Sequence, residues 1–216
     1  LPWIELRVAN QSSACYDAHS HDEFSFGLIQ HGSAAYKNRG RIHQLISGDI
    51  VTINPADVHS CNPNQGTWSY SMLFANTLQM GTIQREVLED ELTPTSYDYL
   101  AFRNDFERDP HLKTNYLNLF DALKQESPVL HAQTCLYDFV AASVLMPKSE
   151  RKVQGSSESL KRVKEKVLDE ISGEHELESL AQEVGMSRYQ LLRAFKNHYG
   201  LPPYAYLMDE KIKRAK

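Results

Sequence analysis

Two groups of side chains in this sequence have types and spacings that suit chemistry. His19-Ser20-His21-Asp22-Glu23 sets two imidazoles and a carboxylate at alternate positions, and His59 ends a later segment that begins at Gly48. If the first segment is extended, the two-residue period puts His19, His21 and Glu23 on one face, where His59 can join them. Three neutral imidazoles and a carboxylate suit a divalent transition metal, Zn²⁺, Ni²⁺ or Fe²⁺. They equally suit a polar pocket that hydrogen-bonds an organic effector. Trp68 and Tyr70 stand two apart on a later alternating run, as core residues or as aromatic walls of such a pocket. The second group is Ser187, Arg188, Tyr189, Leu192, Arg193 and Lys196, a cluster rich in donors for phosphates and base edges.

Elements must position these residues. From Trp3 to Phe74, short β segments alternate with turn chemistry at Asn38-Arg39-Gly40, Ser47-Gly48-Asp49, Asn54-Pro55-Ala56-Asp57 and Asn64-Gln65-Gly66. Such regular spacing predicts a sandwich or small barrel. Glu23 to Gln30 is rich in Phe, Leu and Ile. Trp68, Tyr70, Met72 and Phe74 alternate with smaller or polar residues, so one face of that strand is expected to be buried. From Thr82 the period becomes helical, first through Leu117, Phe120 and Leu123 and then through Cys135, Phe139, Ala142 and Met146. The broad apolar face of His131 to Met146, which adds Leu136 and Val140, predicts a homodimer contact.

A polar stretch, 148–159, is read as a linker to a helical remainder, 160–216. Leu160, Val163, Val167 and Ile171 mark a first helix, Leu177 to Val184 a second and Arg188 to Tyr199 a third; Gly200-Leu201-Pro202-Pro203 starts a fourth. Between the second and third, Gly185-Met186-Ser187 makes a short turn in which Gly takes positive φ and Ser187 caps the next helix. Ala181 is small enough for the two helices to approach closely. The third helix is expected to bury Leu191, Ala194 and Phe195 and to leave Arg188, Tyr189, Leu192, Arg193 and Lys196 open. A helix-turn-helix presents its residues to the DNA major groove in this way.

Composition bounds these readings. The 216 residues are 41% hydrophobic and 24% charged, which is ordinary for a globular chain long enough for two modest domains. No apolar run approaches the roughly 18 residues of a membrane span. Cys15, Cys61 and Cys135 are odd in number and widely spaced without CxxC, which suits neither a disulfide framework nor a zinc knuckle. With no basic leader and apolar run at Leu1, the expectation is a cytoplasmic protein with no membrane partner. The net charge of -5 argues against a simple nucleic-acid binder, but it is uneven: residues 1–150 hold 10 basic against 18 acidic side chains, and 151–216 hold 13 against 10. The polyanion footprint lies at the end of the chain.

The run from Ser179, SLAQEVGMSRYQLLRAFKNHYGLPPYAYLMDEKIKRAK, resembles the first helix-turn-helix of the AraC family of regulators, most distinctively in its EVGMS turn and GLPPYAYL connection. The resemblance implies base reading by Tyr189, Leu192 and Arg193, with Ser187, Arg188 and Lys196 near phosphates; Leu192 departs from the polar residue often found there. In that family a long helix joins two such motifs, so a chain ending at Lys216 is expected to lack the second. Residues 15–75 resemble the cupin barrel, and more narrowly the effector domain of AraC-like regulators, through HxHxE, Gly32, Gly48-Asp49 and Pro55 to His59. In metal cupins the glutamate sits further past the second His than Glu23 does, and Ser25 and Phe26 occupy those places.

The fold class expected is α+β: a cupin-like jelly-roll barrel with a helical dimerisation segment (1–147), the linker (148–159) and a truncated helix-turn-helix domain (160–216). The function expected is a ligand-responsive transcription regulator and not an enzyme. Its expected partners are a small-molecule effector bound near His19, His21, Glu23, His59, Trp68 and Tyr70, an operator duplex, a second copy and RNA polymerase. The alternative is a cupin-type metalloenzyme, a dioxygenase or isomerase, with its metal on His19, His21, Glu23 and His59. A third class is a partner-binding module whose functional surface is the helices of 112–146.

Overall fold

The computed structural model describes residues 1–88, 99–144 and 157–214. It is a mixed α and β structure with antiparallel sheets. Strands β1 (Ile4–Ser12), β2 (Phe24–His31), β3 (Ser33–Asn38), β4 (Arg41–Ile46), β5 (Ile50–Ile53), β6 (His59–Pro63) and β7 (Trp68–Ala75) come first, and β8 (Phe106–Glu107) follows the first helix. They form a five-stranded sheet in the order β1-β7-β2-β5-β8 and a three-stranded sheet in the order β4-β3-β6. The β3–β4 turn shows why the sequence folds this way locally. Asn38 pairs with Arg41, and the two residues between them, Arg39 and Gly40, both have positive φ. That is the requirement of the two-residue hairpin turn whose twist matches the strands, and Gly meets it at no steric cost.

The five-stranded sheet is covered on both faces, so β2 reads as a nearly continuous apolar run rather than an alternating one. Its Phe24, Phe26 and Leu28 join Leu73 and Ala75 of β7 in a core shared with helices α1 (Thr77–Val87), α2 (Pro110–Lys124) and α3 (Val129–Val144). Asn76 caps α1, and Asp109 with Pro110 starts α2. The opposite face contributes Ile29, Val51, Ile53, Trp68 and Tyr70 to a second core between the sheets, with Ala34, Tyr36 and Leu45 of the smaller sheet. Asp105, just before β8, ties the sheets together: its buried carboxylate accepts from Asn38 and Arg39, and His43 Nε2 lies 2.7 Å away.

One expectation is corrected here. Cys135, Leu136, Phe139 and Val140 do not face outward for a second copy; all four are buried within the chain. Phe139 meets Phe26 edge-on, with ring centroids 5.0 Å apart at 85°. The apolar outer face of the sheet needed a cover, and this side of α3 supplies it. Ala142 is exposed, and Met146 lies outside the described residues.

Four further helices follow: α4 (Ser157–Asp169), α5 (Leu177–Glu183), α6 (Arg188–Tyr199) and α7 (Pro203–Arg214). The stripe Leu160, Val163 and Val167 is buried. Helix α4 begins at Ser157, so 157–159 of the expected linker are helical, while 148–156 lie outside the described residues. The apolar core on the helical side of the sheet continues without a break into these helices. Among the described residues, no helix is long and apolar enough to cross a membrane.

Candidate functional site

Between the two sheets lies a cavity of about 580 Å³. His19, His21, Glu23, His59, Trp68 and Tyr70 all contribute to its wall. Residues 19–23 are not a strand as the spacing suggested. A single bridge joins His19 to His59 through both backbone hydrogen bonds, 3.0 and 2.9 Å, and it is this contact that brings the imidazoles together. The ring centroids of His59 lie 4.5 Å from His19 and 4.9 Å from His21.

The three rings share one arrangement. Nδ1 of His19 faces the carbonyl of Asp17 at 2.8 Å, Nδ1 of His21 that of Glu23 at 3.0 Å, and Nδ1 of His59 that of Asp57 at 2.9 Å. A carbonyl only accepts, so each Nδ1 carries the proton and each neutral ring keeps an accepting Nε2. Ser25 is within reach of Nε2 of His21 at 3.3 Å. Burial pushes the pKa of His59 down, against its bond to Asp57, and charge on His19 or His21 would lower it further. Glu23 is half exposed, 3.9 Å from Nδ1 of His21. Among the described residues, no three His, Cys, Asp or Glu side chains are placed to hold a metal ion together. The tetrad expected to ligate a metal does not assemble as a centre here: Glu23 turns toward solvent, and the three imidazoles are not placed to share an ion without it.

The aromatic wall comes from β7. Trp68, Tyr70, Met72 and Phe74, all on one face of the strand, line the cavity, while Ser71 on the other face accepts from Tyr116 of α2. The rings of Trp68 and Tyr70 are 4.3 Å apart. Nε1 of Trp68 is buried without a hydrogen-bond partner among the described residues. Burial, with help from Tyr16, raises the pKa of Tyr70, and burial pushes the Cys61 thiol up to about 12. The thiol is therefore protonated at neutral pH and no nucleophile.

Reading by motif missed Trp3, Glu5, Arg7 and Tyr16, which also line the cavity. A signal existed for the first three: they alternate along β1 and its approach. Arg7 lies over the Phe74 ring at 4.8 Å and pairs with Glu5 at 3.6 Å. The cavity thus offers aromatic walls and a cluster of imidazoles, which suits a compact ligand with hydroxyl or amine donors.

At the other end of the chain, α5 and α6 meet at Gly185, whose φ is 66°. Ser187 caps α6 with a reciprocal pair of bonds: its side chain accepts from the Gln190 amide at 3.2 Å, and the Gln190 side chain accepts from the Ser187 amide at 3.1 Å. Leu191, Ala194 and Phe195 are buried, as the helical pattern requires. Leu192 is buried as well, which corrects its expected place on an open face. Helix α6 is packed on two sides, by α4, α5 and α7 and also by α1. Arg188 and Tyr189 are half-buried against α1 and α3, Arg193 lies over the Tyr189 ring at 5.5 Å, and Lys196 is exposed.

Comparison with known proteins bears on both ends. The uncharacterized HTH-type transcriptional regulator YbfI of Bacillus subtilis (strain 168) is 24% identical over 202 residues, spanning 92% of this chain and 71% of YbfI. Solved structures with local likeness include oxalate decarboxylase from Bacillus subtilis (20% identity, TM-score 0.30, 35% of this chain and 22% of that one). KdgF from Halomonas sp. matches at 16% identity and TM-score 0.29, over 35% of this chain and 80% of its own. Residues 4–140 match the family profile of the AraC-like ligand binding domain. That match covers the two sheets, the cavity wall from Glu5 onward and nearly all of α1 to α3, and by it this chain belongs to the AraC family.

Proposed function

We propose that this protein is a ligand-responsive transcription regulator and not an enzyme, sensing a small molecule in the cavity between its sheets and reading an operator with α5 and α6. The observation that carries the reading is one chain holding both a polar-and-aromatic cavity inside a ligand-binding fold and a Gly-turn, Ser-capped helix with basic residues. The name of its relative YbfI points the same way. The effector is held by His19, His21, His59, Trp68 and Tyr70, with Glu23 at the rim. Tyr189 and Arg193 read bases, while Ser187, Arg188 and Lys196 meet phosphates. The division falls before α4, between a sensing part, 1–147, and the first helix-turn-helix of a DNA-binding part, 157–216.

Selection from a randomised duplex pool at low salt tests the DNA-binding half: enrichment of a shared sequence supports it, and no enrichment sinks it. Native mass spectrometry of the purified chain tests the sensing half. A retained small molecule, lost in a His21→Ala, His59→Ala variant, is the expected result. A second reading, a divalent metal on His19, His21 and His59, has the three Nδ1 bonds in its favour, since metal-bound imidazoles donate their other nitrogen in this way, but it requires the three rings to draw together from where they stand. A mass lost on chelation and not on dialysis would select it. Homodimerisation, if sedimentation shows it, must use a surface other than the buried side of α3.

A further inference from the structure

The first two residues of α6, Arg188 read as meeting a phosphate and Tyr189 as reading a base, are held by the sensing part of the chain. Arg188 donates through Nε to both carboxylate oxygens of Glu86 in α1, at 3.2 Å each, and through Nη2 to one of them at 2.6 Å. Tyr137 of α3 donates to the same carboxylate at 2.5 Å. Its ring lies parallel to that of Tyr189, with centroids 6.2 Å apart at 16°, and beneath the Arg188 guanidinium at 5.7 Å. Glu178 of α5 adds a second carboxylate 3.3 Å from Nε of Arg188.

We propose that Glu86 and Tyr137 form an autoinhibitory clasp that occupies Arg188 and Tyr189 and must open before DNA is read. This rests on the reading of α6 as the recognition helix. Glu86 is an anion engaged by the guanidinium fork, as a phosphate or a guanine edge would be. The fork cannot serve both at once. The Glu86 and Arg188 side chains are only 20% and 21% exposed, so salt screens the pair less than it would a surface bridge. Two further contacts hold the same helices in place: Gln133 of α3 accepts from the Leu177 amide at 2.8 Å, and the rings of His131 and Tyr204 stack at 4.3 Å. DNA therefore sees only the open fraction of the protein, and its apparent affinity falls by that fraction.

The test is titration of the full chain with a mixed-sequence duplex at low salt. Glu86→Gln and Tyr137→Phe should each tighten binding on the order of tenfold, a typical coupling between sites. Adding Arg188→Ala to Glu86→Gln should remove the gain. Asp121→Asn, which takes the same charge from the exposed side of α2, should change nothing. Hydrogen exchange reports the clasp without DNA: amides 188–192 should exchange faster in Glu86→Gln, while those of β2 and β7 keep their protection. If wild type binds and neither clasp variant binds tighter, or Asp121→Asn gains as much, the clasp is wrong and the DNA-reading function stands. Unchanged exchange at 188–192 would also overturn it. If no form of the protein binds any duplex, the reading of α6 fails and the clasp falls with it.

Discussion

Replacing Phe139 with Ala separates an intramolecular role of α3 from an intermolecular one. The ring is 1% exposed. An aromatic side chain of this kind buries about 150–250 Å². At about 25 cal/mol per Å², and with the Ala methyl retained, losing the ring costs about 3–4 kcal/mol. Two edge-to-face ring contacts are lost as well, to Phe26 at 5.0 Å and to Tyr116 at 6.0 Å. Each is worth about 0.5–1.5 kcal/mol, and partial collapse of the site keeps the total near the 3–5 kcal/mol usual for Phe→Ala in a core. Urea unfolding of parent and variant would measure it, with sedimentation run on both. Phe139→Leu should recover most of the loss. A Phe139→Ala variant that loses less than about 1 kcal/mol yet sediments as a smaller species would refute the reasoning and return this face to a dimer contact.

Burial raises the Asp105 carboxyl pKa, but hydrogen bonds from Arg39 and His43 outweigh it and hold it below its ordinary value. A depressed pKa contributes stability above the unfolded value of about 3.9 that is lost as pH falls through the folded one. The stability gap between wild type and Asp105→Asn should therefore be widest near neutrality and close below about pH 4; a gap independent of pH would contradict it. In alkylation at pH 8, exposed Cys15 should react first, with Cys61 and Cys135, pushed up by burial to about 12 and about 11, far behind. Equal labelling by mass mapping would show the cavity wall to be open. Ser187→Ala removes the cap of α6 and should cost about 1 kcal/mol; a thermal midpoint unchanged from the parent would count against the capping pair.

Much of the architecture was legible because local chemistry decided it. Arg39-Gly40 and Gly185 announce turns through a backbone conformation that few residues accept, and Ser187 announces a helix start. The C-terminal helices fell close to where their apolar periods placed them. The grouping of His19, His21 and His59 was legible from spacing, but its cause was not: a single bridge does the work assigned to an extended strand. What stayed hidden depends on long-range packing. The apolar side of α3 reads identically whether it meets a sheet or a second copy, and the packing of Phe139 on the sheet's Phe26 decides between them. Leu192 fits an exposed contact to a thymine methyl as well as a buried contact. Glu86, 102 residues from Arg188, carries no motif at all.

Helix α5 is preceded at its N-cap by Glu176, whose side chain makes no capping bond, and the Leu177 amide is served by Gln133 from another part of the chain. A seven-residue helix with a borrowed cap is not self-sufficient. Transplanted onto a different sensor, these C-terminal helices would carry an open end that the new host has no reason to close. Glu176→Asp or Glu176→Ser, which writes the cap into the segment itself, is the repair such a graft would need.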